Sequence, residues 1–72
     1  MDSELRAIRK EIQIEFGPMT MEQFLKRIDT SRSAFNRYEL GIDKIPWRLC
    51  AVIKVQFGES YFDRVRRLME EQ

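Results

Sequence analysis

The stretch Thr20–Gly41, TMEQFLKRIDTSRSAFNRYELG, decides the fold. It reads as two short amphipathic segments joined by a tight corner. In the first, Phe24, Leu25 and Ile28 recur at helical spacing. Thr20 precedes them as an N-cap, and Gln23 three residues on completes a T-x-x-Q capping box. Asp29-Thr30-Ser31 has no apolar side chain and suits a turn, because Asp tolerates the left-handed region and Ser caps well. Ser31 opens a second helix whose inner stripe is Phe35 and Tyr38, with Ala34 beside them. Gly41 ends it where a left-handed residue costs least. A turn this short cannot lay the helices side by side, so a wide crossing is expected, as in a helix–turn–helix.

The outer side of the second helix carries Arg32, Ser33, Asn36 and Arg37. Two guanidinium groups, an amide and a hydroxyl are the groups that hydrogen-bond to base edges and phosphates. A solvated helix face is the bland alternative. The turn, the caps and the polarity together favour recognition of double-stranded DNA through its major groove.

Helices are expected on both sides of this corner. The first spans about Ser3 to Phe16, with Ser3 as cap and Glu4 in the first turn. Leu5, Ile8, Ile12 and Phe16 form its stripe, Arg6, Arg9, Lys10 and Glu11 face water, and Ile14 lies off the stripe. Gly17-Pro18 stops it, with Gly17 expected as a left-handed cap. Met19 is placed to staple onto Phe24. The corner helices cover about Met21–Ile28 and Arg32–Leu40. After the loop 41–45, Pro46 opens a helix over Trp47–Phe57, with Leu49, Cys50, Ile53 and Phe57 inward and Gly58 as its C-cap. Ser60 is then expected to cap a fifth helix from Tyr61 to about Glu70, with Phe62, Val65, Leu68 and Met69 as its stripe and Arg64, Arg66 and Arg67 outward. No segment reads as a strand. The expectation is one all-α, five-helix domain over residues 1–72, with Ile8, Ile12, Phe24, Ile28, Phe35, Tyr38, Ile53 and Phe57 in a single core.

Composition agrees with a small folded domain. The chain has 72 residues, 43% apolar and 35% charged, which argues against disorder. A domain of this size buries only about 60% of its unfolded surface, so it needs an efficient core, a partner subunit, or both. Thirteen basic against 12 acidic residues give a net charge of +1. Any DNA-binding charge must therefore be concentrated on one face. The single cysteine, Cys50, excludes an internal disulfide. It lies in an apolar run, which suits a buried structural thiol and a reducing compartment. That run is too short to span a membrane. The opening Met1-Asp2-Ser3-Glu4 is not a basic leader, so a cytoplasmic location is expected, with the nucleoid reached through DNA.

From Met19 to Gly41 the sequence MTMEQFLKRIDTSRSAFNRYELG resembles, without gaps, the core of the Cro/cI-type (XRE) phage repressor domains. That core runs L-S-Q-E-E-L-A-x-x-L-G-V-S-x-S-x-I-S-x-Y-E-x-G. The resemblance includes S-R-S, R-Y-E and Gly41, and it continues through Pro46, the helix Trp47–Phe57 and Gly58. It implies a lambda-repressor-like fold in which Arg32, Ser33 and Arg37 read bases, with Asn36 close by. It further implies that Thr20, Ser31 and Lys44 hold phosphates, with Arg48 joining them. For Lys44 and Arg48, ordinary solvated charge competes evenly with that role. Glu39 is implied to be structural, pairing with a basic side chain, while Tyr38 and Trp47 are expected to pack in the core. Four positions depart from the family pattern. Leu25 stands for a small Ala, Asp29 for the turn Gly, Phe35 for a smaller Ile or Val, and Met21 for a phosphate-binding Gln.

The leading expectation is a sequence-specific transcriptional regulator of bacterial or phage type, repressor-like and dimeric on a palindromic operator. Tyr61, Leu68 and Met69 on the last helix are the expected dimer contact. Two alternatives are an antitoxin-type autoregulator that also binds a toxin, and a protein-interaction module that has lost DNA binding. An enzyme is not expected. There is no His, no Gly-rich phosphate loop and only one Cys, so neither a zinc site nor a Cys/His nucleophile pair can be assembled, and no metal is expected. No cofactor is implied.

Overall fold

The computed structural model describes residues 3–72. Met1 and Asp2, read above as part of a non-basic start, lie outside the described residues. Five helices follow one another: α1 (Glu4–Glu15), α2 (Met21–Arg27), α3 (Arg32–Glu39), α4 (Trp47–Phe57) and α5 (Glu59–Glu71). No strand occurs among the described residues, so the domain is all-α with five helices.

The local signals act where the side chains place them. The Ser3 hydroxyl accepts from Arg6 N at 3.0 Å and opens α1. The capping box of α2 is complete: Gln23 N donates to Thr20 Oγ1 at 3.1 Å, and Thr20 N donates to Gln23 Oε1 at 2.9 Å. Ser31 Oγ accepts from Ala34 N at 3.1 Å and opens α3. Between α2 and α3, Asp29 takes a left-handed φ of 52°, which a short polar side chain tolerates. Thr30 N returns to Leu25 O at 3.1 Å. At the far end of α3, Gly41 has φ 77°. Ile42 N donates to Arg37 O at 3.0 Å and Gly41 N to Tyr38 O at 3.2 Å, the paired bonds of a Schellman cap.

Two expected helix ends differ. Gly17 is not left-handed; among the described residues those with positive φ are Asp29, Gly41 and Gly58. Gly17 is required by crowding instead, since a Cβ there would lie 2.0 Å from Met19 N and 2.6 Å from Gln13 O. Gln13 draws this corner in: its Nε2 donates to Met19 O, and its carbonyl accepts from Met19 N, each at 3.1 Å. Ser60 does not cap α5. Gly58, at φ 110° and ψ 169°, ends α4 and starts α5 by itself, so the last helix begins at Glu59 with Ser60 inside its first turn.

The core is built around aromatic rings. Phe24 meets Phe35 edge-on at 5.3 Å and stacks on Phe57 at 5.8 Å. Ile8, Ile12, Ile28, Leu49, Ile53 and Val65 close round them, all fully buried. Cys50 is buried as expected, and burial pushes its thiol pKa up. Phe16 covers the edge of this group, 5.2 Å from the ring of Phe57. Leu25 is also buried, so the larger residue at this position is absorbed into the core. Tyr38 packs against the core as expected but is only half-buried. One expectation fails: Trp47 is 60% exposed. Trp47 stands two positions before Leu49 and so points to the opposite side of α4.

Polar ties join the first helix to the others. Arg9 Nε donates to Glu39 Oε2 at 2.9 Å, with side chains only 14% and 4% exposed. This is the structural partner expected for Glu39, and it corrects the outward placing of Arg9. Arg64 bridges α5 to two carboxylates of α1, Glu4 at 2.9 Å and Glu11 at 2.8 Å. Tyr61 donates its hydroxyl to Glu15 at 2.5 Å.

Three stability measurements follow from this packing. Phe35→Ala should cost about 3–5 kcal/mol, read as the midpoint of urea unfolding, and so leave little of a small domain's stability. Glu39→Leu should destabilise more than the double change Arg9→Met with Glu39→Leu, because the single change strands a largely buried guanidinium. Equal losses would mean that the pair contributes nothing beyond its shape. The third measurement concerns pH. Hydrogen bonding to Glu15, aided by burial, pushes the Tyr61 phenol up to about 12, against about 10 in an unfolded chain. Its contribution is whole below about pH 10 and is lost as pH rises towards 12. Tyr61→Phe should remove that part of the alkaline loss of stability.

Candidate nucleic-acid interface

The candidate surface is the outer side of α3, and the fold fixes that helix at both ends and along its inner face. Ser31 caps its start, and the Gly41 turn closes its end. Phe35 drives into the core in the middle, and Glu39 ties the last turn to Arg9 of α1. With Phe35 and Glu39 buried, Arg32, Ser33, Asn36 and Arg37 are left exposed. The structure thus brings the four expected base-reading residues onto one helix face. Arg32, Ser33 and Asn36 line a shallow groove whose other wall is Arg6 and Arg9 of α1 and Met21 at the start of α2.

Both arginines of this face are held by carboxylates that the sequence reading did not single out. Arg32 pairs with Glu22 of α2. Arg37 grips Asp43 with two bonds, Nε to Oδ2 at 2.7 Å and Nη2 to Oδ1 at 3.2 Å. This hydrogen bonding raises the pKa of the Arg37 guanidinium and lowers that of the Asp43 carboxyl. The sequence held a partial signal for the second pair, since Asp43 lies just beyond the Gly41 turn that folds the chain back on α3. Glu22 and Arg32 are ten residues apart on separate helices, and only their packing brings them together. Each pair is solvent-exposed: the side chains of Arg37 and Asp43 are 49% and 45% accessible. Such pairs exchange readily for other partners, because exposed ion pairs are weak.

The expected phosphate contacts fall in three places. Thr20 is exposed at the start of α2, and Lys44 is exposed in the α3–α4 loop. Ser31 lies at the end of the α2–α3 turn, and Arg48 reaches the same turn from α4. There Arg48 of α4 donates to Ile28 O at 3.3 Å and to Thr30 Oγ1 at 3.0 Å. Arg48 therefore braces the turn, with part of its five-donor fork left over. Thr20 and Ser31 accept backbone bonds as caps, and each hydroxyl proton remains available to donate.

The expected dimer contact is placed differently. Tyr61 is only 6% exposed, in the core beside Phe16, and it cannot reach a partner without leaving that core. Leu68 and Met69 are half-buried against the same core. The pattern of α5 explains this: Tyr61, Val65 and Leu68 repeat at four and three residues, the spacing of the buried side. Among the described residues no group of His, Cys, Asp and Glu side chains converges as a metal site, and no helix is long and apolar enough to cross a membrane.

Asp43→Asn should leave the fold and its thermal midpoint nearly unchanged and should loosen Arg37. Solvent exchange of the Arg37 Nε–H, followed by nuclear magnetic resonance, should accelerate in the variant. The Arg9 Nε–H, held by buried Glu39, should not change. Equal acceleration at both would show that the two pairs are not independent.

Compared with known protein families, with curated proteins and with solved structures, the chain matches none of them.

Proposed function

We propose that this chain is a sequence-specific DNA-binding regulator, a lambda-repressor-like domain that presents α3 to the major groove and acts as a dimer on a palindromic site. The observation that carries the reading is the division of α3. Phe35 and Glu39 fix the helix from within, while Arg32, Ser33, Asn36 and Arg37 stand together outside. The resemblance of Met19–Gly41 to the Cro/cI-type repressors supports the same assignment. In this role Arg37 trades Asp43 for the O6 and N7 of a guanine, a bidentate contact worth about 1–3 kcal/mol of discrimination. Arg32 leaves Glu22 for a base or phosphate in the same way. The displaced carboxylates repel phosphate, which lowers affinity for DNA that offers no matching base. Thr20, Ser31, Lys44 and Arg48 supply positioning contacts to the backbone. The location is then the cytoplasm, on the nucleoid.

One observation favours a second reading, a protein-interaction module on the same fold. Both arginines of the α3 face already have carboxylate partners within the chain, and the net charge is only +1.

Selection from a random duplex pool at low salt separates the two. An enriched half-site repeated with two-fold symmetry is expected; a pool without enrichment would overturn the DNA-binding reading. On the selected site, Arg37→Ala should weaken specific binding and flatten preference at one or two positions per half-site. Lys44→Ala should weaken all sequences about equally and reduce the salt slope by about 0.9 for each phosphate no longer neutralised. An equal drop in affinity for specific and scrambled DNA in Arg37→Ala would make Arg37 a backbone clamp.

A further inference from the structure

The corner that joins α1 to α2 keeps apolar side chains at the surface. Ile14 is 79% exposed and Phe16 38%. Two clefts flank this corner. Pro18 and Met19 line both and stand between them. One cleft is completed by Lys10, Gln13 and Ile14 of α1. The other, of about 550 Å³, is completed by Phe16 and by Gln23, Lys26 and Arg27 of α2. An exposed apolar patch that continues into concave surface marks a binding site.

The charges say what fits there. Lys10, Lys26 and Arg27 are the charged residues lining the two clefts, and all three are cations. None of them is ion-paired among the described residues. The carboxylates around the corner are engaged elsewhere: Glu11 with Arg64, Glu15 with the Tyr61 hydroxyl, Glu22 with Arg32 and Glu59 with Lys54. Asp29 borders Lys26 from its far side, in a separate cleft shared with Glu22. Arg27 is already set for a partner. Its Nε donates to Gln56 Oε1 at 2.9 Å, and its guanidinium lies 5.1 Å from the centre of the Phe57 ring. Those contacts hold the plane in one orientation and leave the Nη donors for a bidentate carboxylate.

An occupant must therefore carry negative charge and apolar groups together. Nucleic acid fits less well, because Ile14, Phe16, Pro18 and Met19 offer phosphates and base edges no hydrogen bond from their side chains. Anionic bilayers are held by clusters of about four to eight cations, more than stand here. A small ligand would fill one cleft and leave the cations of the other unmatched. We propose that the α1–α2 corner is a docking site for an acidic segment of a partner protein. Its carboxylates meet Lys10, Lys26 and Arg27, and its bulky apolar side chains enter the clefts on either side of Pro18 and Met19. The surface shares no residue with the α3 face, so this assignment does not rest on the DNA-binding reading.

The probe is a library of short random peptides displayed against the whole chain. A synthetic peptide of the enriched sequence is then titrated and followed by fluorescence anisotropy. Asp or Glu beside Leu, Ile or aromatic residues should be enriched. Ile14→Ser and Lys26→Glu change side chains that the fold does not use, and each should raise the dissociation constant about tenfold with unchanged circular dichroism. Arg37→Ala on α3 and Arg67→Glu, an exposed cation of α5, should leave the constant unchanged. No enrichment, an enriched sequence without acidic residues, or binding weakened by Arg37→Ala or Arg67→Glu and not by the corner variants would overturn the proposal. Vesicles of phosphatidylserine and phosphatidylcholine supply the other arm: sedimentation of the chain with them, abolished by Ile14→Ser, would put a membrane in place of the partner protein. A chain that binds the peptide and enriches no DNA sequence would overturn the DNA-binding reading and leave this site standing.

Discussion

The ring of Phe24 is the point on which the helices depend. It touches Phe35 of α3 on one side and Phe57 of α4 on the other. α2 has only seven residues and α3 eight, too short for either to be stable as an isolated helix in water. Each is held because its aromatic side chain enters a core that the longer helices complete. The corner between them follows from the same contact. Phe24 and Phe35 can meet edge-on only if the chain reverses within a few residues, and Asp29 takes the left-handed backbone that lets it do so. A full-sized Leu25 is tolerated because it too faces the core.

That anchoring sets the chemistry of the exposed surface. A short helix held by one aromatic residue can still rotate or fray, and the Arg9–Glu39 pair prevents this at its last turn. The pair is nearly dry, so its geometry is well defined. The pairs Arg32–Glu22 and Arg37–Asp43 are wet and on the surface. The same residue types therefore do two jobs along α3. Buried, an arginine and a carboxylate fix the helix; exposed, they keep it exchangeable. The recognition surface proposed for α3 needs both, a rigid backbone and side chains whose present partners are weak.

Much of this architecture was legible from local signals because those signals are local in physics. A capping hydroxyl satisfies a backbone N–H three residues away, and a glycine at φ 77° acts on its own backbone. Thr20, Ser31 and Gly41 therefore behave as the sequence indicates, and the outer set Arg32, Ser33, Asn36 and Arg37 follows once Phe35 is known to point inward. The departures have different causes. Arg9 is largely buried because Glu39, thirty residues away, lies beside it, and Tyr61 is held in by Phe16 and by Glu15 of α1; neither partner is visible from spacing within one helix. Trp47 follows from its own helix: it stands on the side of α4 away from Leu49, where it meets Phe62 of α5.

The sequence by itself determined the five helices, the caps at Ser3, Thr20, Ser31 and Gly41, the corner between α2 and α3, and which side of α3 faces out. Apolar periodicity and capping chemistry operate within a few residues, and the chain order contains them. Only the tertiary structure decided which charges pair. Glu22 with Arg32, Asp43 with Arg37 and Arg64 with two carboxylates of α1 are outcomes of packing, as is the exposure of Trp47 beside Phe62. Ion pairs and surface patches depend on distances between elements far apart in the chain, and those distances exist only after the core around Phe24 has formed.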